Sequence, residues 1–132
     1  MVYLIVGAAG IAGALLRYYL GMSVSVWWDQ SFPLSTLVIN LIGPFILGWI
    51  TTYLGKLPQF HPALVTGIGT GLIGSFTTFS AFSVETVKLI QASEWGTAIL
   101  YVLLSLWGGL AMAWAGDEFG KSRLKQTGGS RG

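Results

Sequence analysis

The 132-residue chain contains no cysteine, so disulfide bridges, thiolate metal sites and a cysteine nucleophile are excluded, and cysteine usage says nothing of the redox compartment. Charge is nearly as scarce. Only 9% of the residues are Asp, Glu, Lys or Arg, against roughly 25% in a soluble globular domain, which excludes an ordinary water-soluble fold. The single histidine, His61, stands before Pro62 in a loop and reads as a helix-start residue rather than a ligand or a base. Without a nucleophile–base pair or a cluster of metal-ligating side chains, an enzyme is poorly supported. The net charge is only +2, and four of the cations, Lys121, Arg123, Lys125 and Arg131, lie at the C-terminal end. That placement fits lipid headgroups and not nucleic acid.

What fills the chain is apolar surface: 53% of the residues are hydrophobic, which requires a bilayer as solvent. A crossing takes about 20 apolar residues, so a chain of this length has room for four helices with short loops. The hydropathy pattern places them at Tyr3 to Met22, Thr36 to Leu54, about Pro62 to Ile90, and Trp95 to Ala115. The first of these lacks the basic N-terminal region of a signal peptide and carries Arg17 at its far end, so it counts as a span. An all-α membrane protein follows, with residues 1–120 as one four-helix transmembrane domain. Residues 121–132 form a polar tail, of which Gln126 to Gly132 is glycine-rich and reads as disordered or as an expression scar.

An even number of spans puts both termini on one side of the membrane. That side carries Lys56 and the tail cations, against Arg17 and Lys88 opposite, so the positive-inside rule leans toward termini in the cytoplasm. Small residues recur one turn apart: Ala9 with Gly13, Gly10 with Ala14, Gly67 with Gly71, and Ser105, Gly109 and Ala113. Such rows let helix backbones approach where lipid provides little drive for association, and packing is their expected use.

Few polar residues remain inside the spans. Asn40 lies midway along helix two, and Pro44, one turn later, removes the N–H that its carbonyl needs and predicts a kink. Asn40 is open to two readings, an interhelical hydrogen bond or a pore group. Glu85 is the one carboxylate placed within a span. A charge near the bilayer centre costs about 2.5 to 3.5 kcal/mol on insertion scales, so it faces either water or a partner, and Lys88 at helical spacing is a candidate partner. Arg17 reads as an interfacial anchor.

The stretch GSFTTFSAFS, Gly74 to Ser83, is the least ordinary part of the chain. Glycines at 67, 69, 71 and 74 followed by Thr77-Thr78 make a continuous helix uncomfortable, which predicts a break between Gly74 and Thr78. Irregular backbone at membrane depth is tolerated where it is buried in protein or lines a polar cavity, so carbonyls freed there either find donors or coordinate a cation. Phe79 and Phe82 share a face beyond the break. Their use is either packing or, because an aromatic ring edge is electropositive, weak solvation of a small anion.

Three motifs resemble those of the small fluoride channels known as Fluc: GIAGALLRY at Gly10 to Tyr18, TLVINLIGPFILG at Thr36 to Gly48, and GLIGSFTTFSAFS at Gly71 to Ser83. The likeness covers nearly the whole chain to about residue 120, and its third motif is the most specific. The resemblance implies an antiparallel homodimer in the bacterial inner membrane, with two pores and no partner beyond its own copy, lipid and fluoride. It implies that Asn40 lies beside the pore and that the ring edges of Phe79 and Phe82 meet fluoride. Thr36, Ser80 and Glu85 would form the polar track, Tyr101 and Ser105 would orient the asparagine and phenylalanines, and Arg17 would serve as anchor or vestibule. Backbone carbonyls of Gly74 and Thr77 would hold a central structural sodium ion, Na+, between subunits. Two positions depart from the family pattern: Ala81 replaces a threonine and Pro44 a small residue. Two other classes remain as alternatives, a small proton-coupled multidrug exporter built on Glu85 and a non-transporting structural subunit.

Overall fold

The computed structural model describes residues 1–130. Four helices long and apolar enough to cross a bilayer run Val2–Trp27, Leu34–Lys56, Pro62–Gln91 and Trp95–Gly129, and no strand occurs among the described residues. The chain is an all-helical integral membrane protein. The first helix, α1 (Val2–Trp27), has 26 residues, which at 1.5 Å per residue is about 39 Å and exceeds the roughly 30 Å hydrocarbon core. The second, α2 (Leu34–Thr52), continues through Pro44 and ends in a 3₁₀ turn at Leu54–Lys56.

The third crossing is composite. It opens as α3 (Pro62–Thr66), whose first turn is capped by His61, with Nδ1 accepting the Ala63 amide at 3.1 Å. It then widens into a π-helical stretch over Gly67–Ile73, closes into α4 (Gly74–Phe76), breaks at Thr77 and Thr78 in extended backbone, and resumes as α5 (Phe79–Gln91). The predicted break between Gly74 and Thr78 is therefore present. Its downstream edge is a helix start in which Thr78 Oγ1 accepts the Ala81 amide at 3.2 Å, a threonine N-cap inside the membrane.

The fourth crossing, α6 (Trp95–Gly129), corrects the expected tail. Helix continues through the polar tail from Lys121 to Gly129, including Gln126 to Gly129, where composition predicts disorder, and Arg131 and Gly132 lie outside the described residues. Lys121 Nζ pairs with Asp117 at 2.8 Å and Glu118 at 3.2 Å, at i,i+4 and i,i+3 spacing, and Arg123 lies 5.1 Å over the Phe119 ring. Asp117 also accepts the Thr52 hydroxyl, which ties the extension to the end of α2. At 35 residues, about 52 Å, α6 outreaches the bilayer core, so its polar end stands in the interface and beyond.

Small residues bring the helices together, as expected, although not all of the expected ones. A Cβ on Gly13 would collide with the Leu72 carbonyl, and one on Gly71 with the Val6 carbonyl, so α1 and the π-helical stretch meet backbone to backbone. The α2–α6 seam uses Gly48, Gly108, Gly116 and Gly120; Gly116 faces the Phe45 carbonyl. A Cβ on Gly109, which the sequence grouped with Ser105 and Ala113 as a packing row, would meet nothing within 4 Å. The large side chains of α1 and α6 that remain exposed, among them Ile11, Leu15, Leu103 and Trp107, suit a lipid environment.

Candidate functional site

The break in the third crossing is held by one side chain from another helix. Asn40 Nδ2 donates to the Thr78 carbonyl at 2.9 Å and Asn40 Oδ1 accepts the Thr78 amide at 2.9 Å, so α2 clasps the extended backbone in both directions. An asparagine amide has a second N–H and a second lone pair, so one donor stays free after the clasp is made. Asn40 lines a cavity of about 800 Å³ together with Pro44, Thr77, Thr78, Phe79, Phe82 and Ser105.

The clasp also redirects the backbone. In a continuous helix the Thr78 amide would serve the Gly74 carbonyl and the Ala81 amide would serve the Thr77 carbonyl. The first is donated to Asn40 and the second to the Thr78 hydroxyl. Both carbonyls singled out from the sequence are thereby without their helical donors. Gly74 is exposed, and a Cβ there would meet nothing within 4 Å.

Phe79 and Phe82 lie side by side with ring centroids 5.8 Å apart at an interplanar angle of 38°. Phe82 continues to Tyr101 at 5.2 Å, and Tyr101 to Phe32 at 5.6 Å edge-on. Phe79 stands at the open end of this row and is 79% exposed, whereas Tyr101 is fully buried beside Leu37, Leu89 and Ala98. A ring left this bare beside hydroxyls and an amide is open to whatever enters the cavity, and the edge of such a ring is its electropositive part.

Glu85 is partnered, although not by Lys88. Its Oε1 accepts the Thr36 hydroxyl at 2.8 Å and its Oε2 accepts the Tyr101 hydroxyl at 2.9 Å, so helices α2 and α6 hold both carboxylate oxygens. No ion pair joins Glu85 to Lys88 or Arg17 among the described residues. Ser80 Oγ lies 3.2 Å from Thr78 Oγ1, which links the hydroxyls along α5 to the break. Thr36, Ser80, Ala81, Glu85, Arg17 and Lys88 all line a second cavity of about 500 Å³.

The structure thus brings Asn40, Phe79, Phe82 and Ser105 to one cavity, and Thr36, Ser80 and Glu85 to the other, with Thr78 common to both. Tyr101 packs on Phe82, but Asn40 is held by Thr78 rather than by Tyr101 or Ser105. The Ser105 hydroxyl is buried without a protein partner. Two residues have parts in the site that the sequence reading did not give them. Thr78, read from sequence only as an edge of the break, is its hub; Gly43 carried no signal beyond being small. A Cβ on Gly43 would overlap the Thr77 methyl group, so this glycine seats the break against α2.

These features define an integral membrane protein of channel-like construction, with a broken helix pinned at mid-depth between two polar-edged cavities. Residues 4–117 match the family described as CrcB-like protein, Camphor Resistance (CrcB), and the chain belongs to that family. It is 56% identical over 127 residues to Fluoride-specific ion channel FluC 1 of Bacillus cereus, covering 96% of this chain and 88% of that one. To FluC 1 of Desulfitobacterium hafniense it is 50% identical over 113 residues, covering 86% and 97%. To FluC 2 of Geobacillus kaustophilus it is 48% identical over 126 residues, covering 96% and 98%.

Proposed function

We propose that this protein is a fluoride-selective channel of the bacterial inner membrane, a pore and not an enzyme, that passes F⁻ out of the cytoplasm down its electrochemical gradient. The observation that carries the reading is the cavity in which a clasped asparagine, with one N–H to spare, faces the exposed Phe79 and the adjoining Phe82. The names of the relatives point the same way. An inside-negative potential favours anion exit by about 2.3 kcal/mol per charge per 100 mV, so an open pore needs no coupling ion.

Selectivity rests on replacing the water of a small, strongly hydrated anion with donors held in place. The Asn40 amide and the ring edges of Phe79 and Phe82 serve on one side of the break, with Ser105 beside them to orient them. Thr36 and Ser80 continue the track on the other, with Tyr101 setting the Glu85 carboxylate and supporting Phe82. Weak donors suit conduction, because an anion bound tightly does not leave. Arg17 lines the same cavity as that track.

The working unit in this reading is an antiparallel homodimer in which Gly74 and Thr77 of two copies meet at a two-fold axis. The two carbonyls without helical donors and the open space over Gly74 suit a sodium ion shared between subunits, with Gly74 and Thr77 as its ligands. Such an ion would neutralise the gathered carbonyl dipoles and fix the break. Replacement of Phe79 by isoleucine tests the site: Phe79→Ile keeps an apolar side chain but removes the ring edge. Fluoride efflux from liposomes is expected to fall to the level of empty vesicles, and undiminished efflux from the folded variant would refute the assignment.

A further inference from the structure

The clasp between Asn40 and Thr78 also decides what the neighbouring carbonyls can do. A trans peptide is planar, so its C=O and N–H point in opposite directions, and no peptide bond is cis among the described residues. The Thr78 N–H is donated to Asn40 Oδ1 at 2.9 Å. The carbonyl of that same peptide unit belongs to Thr77 and is therefore aimed away from Asn40. The bond also takes from the Gly74 carbonyl the amide that would serve it in a continuous helix. One hydrogen bond thus leaves the Gly74 carbonyl without its donor and sets the direction of the Thr77 carbonyl. The side-chain amide is fixed in this sense, because Nδ2 donates to the Thr78 carbonyl at 2.9 Å and a flip would set like against like at both contacts. The Thr77 side chain is held separately, with its hydroxyl donating to the Ile73 carbonyl at 3.0 Å and its methyl group seated over Gly43.

We propose that Asn40 is a positioning residue for the central cation, acting through the Thr78 amide, in addition to its place in the pore. The inference rests on the reading of Gly74 and Thr77 as sodium ligands. A part-buried amide that loses its acceptor seeks another, and the one within reach of the Thr78 N–H is the Gly74 carbonyl that a continuous helix would give it. Both ligands are then lost together: the Gly74 carbonyl is occupied by a donor, and the Thr77 carbonyl turns with its peptide plane. The two ends of the side chain accordingly have separable uses. Oδ1 shapes the cation site between the subunits, whereas the spare N–H of Nδ2 belongs to the pore cavity that Asn40 lines.

The test is the melting temperature of protein purified throughout without sodium, followed as sodium chloride replaces N-methyl-D-glucamine chloride at constant ionic strength, with potassium chloride as control. An ion that binds the folded state raises the melting temperature once its concentration passes the dissociation constant. The onset of the rise therefore reads sodium affinity, and the sodium-free value reads stability alone. Wild type is expected to respond to sodium and not to potassium. Asn40→Leu and Asn40→Ala remove the acceptor and are expected to move the onset to about 10-fold higher sodium or beyond, the factor that one hydrogen bond is worth. Asn40→Asp keeps an oxygen for the Thr78 amide, so its onset should stay at or below that of wild type although its fluoride efflux is lost. A wild-type onset in the leucine and alanine variants would overturn the inference, even with a lower melting temperature at every sodium concentration, which marks a merely structural role. A raised onset in Asn40→Asp would also overturn it, by assigning the effect to the bond that Nδ2 donates. A wild type indifferent to sodium would instead overturn the sodium reading, and this inference with it, while leaving the channel reading in place.

Discussion

Replacing Asn40 by aspartate changes one atom group at the centre of the break, and its two consequences separate by size. Asn40 donates to the Thr78 carbonyl and accepts from the Thr78 amide, both at 2.9 Å. In Asn40→Asp the accepted bond survives and is strengthened by charge, whereas the donated one becomes a carboxylate oxygen facing a carbonyl. A part-buried carbonyl left without its donor costs about 1–3 kcal/mol, which weakens the clasp without removing it. The effect on permeation is larger. An anion about 4 Å from the new carboxylate is opposed by about 4 kcal/mol at an effective dielectric of 20. At 1.36 kcal/mol per tenfold, that is roughly a thousand-fold in rate. The assay is fluoride efflux from liposomes containing purified variant, with size-exclusion profile and melting temperature recorded alongside. Efflux within about tenfold of wild type, from variant protein of unchanged profile, would refute both the pore position of Asn40 and the electrostatic reasoning behind it.

Three further outcomes follow from named contacts. Gly43→Ala sets a methyl group against Cγ2 of Thr77, an overpacking change that typically costs about 1–3 kcal/mol, and is expected to lower both melting temperature and efflux. The added change Thr77→Ser removes that Cγ2 and should restore both; failure of the double variant to recover would show that Gly43 acts in some other way. Glu85→Gln keeps an oxygen that can accept a hydroxyl, so efflux should persist without new dependence on pH, while proton-driven transport lost in this variant would favour the exporter reading. Gly74→Cys introduces the sole thiol of the chain at a position with open space above it, and mild oxidation in the membrane should yield a disulfide-linked dimer. A purely monomeric product would speak against Gly74 lying at a two-fold axis.

The four crossings and the break were legible from sequence because both depend on local composition. Apolar runs of sufficient length have one solvent that suits them, and glycines followed by Thr77-Thr78 resist a continuous helix wherever they lie. The partners of the break were not legible, since Asn40 and Thr78 are 38 residues apart and meet only when α2 crosses the third helix. Glu85 shows the same limit. Helical spacing pointed to Lys88, yet tertiary structure brought two hydroxyls from α2 and α6, which satisfy the carboxylate inside the bundle and leave Lys88 to the cavity. The continuation of α6 past residue 120 had a local signal in Asp117 and Lys121 at i,i+4. Its glycine-rich polar composition obscured that signal, and docking against Thr52 through Gly120 added a contact that no local pattern contains.

The central claim is that the unmodified chain is a pore for fluoride. Purified protein in potassium-loaded liposomes, with fluoride and chloride tested in parallel and valinomycin added to release the charge restraint, tests it most directly. Rapid fluoride efflux at the electrode with chloride retained is the predicted result. Vesicles that hold both anions, or release both alike, would contradict the claim that the Asn40–Phe79–Phe82 cavity is a fluoride-selective path.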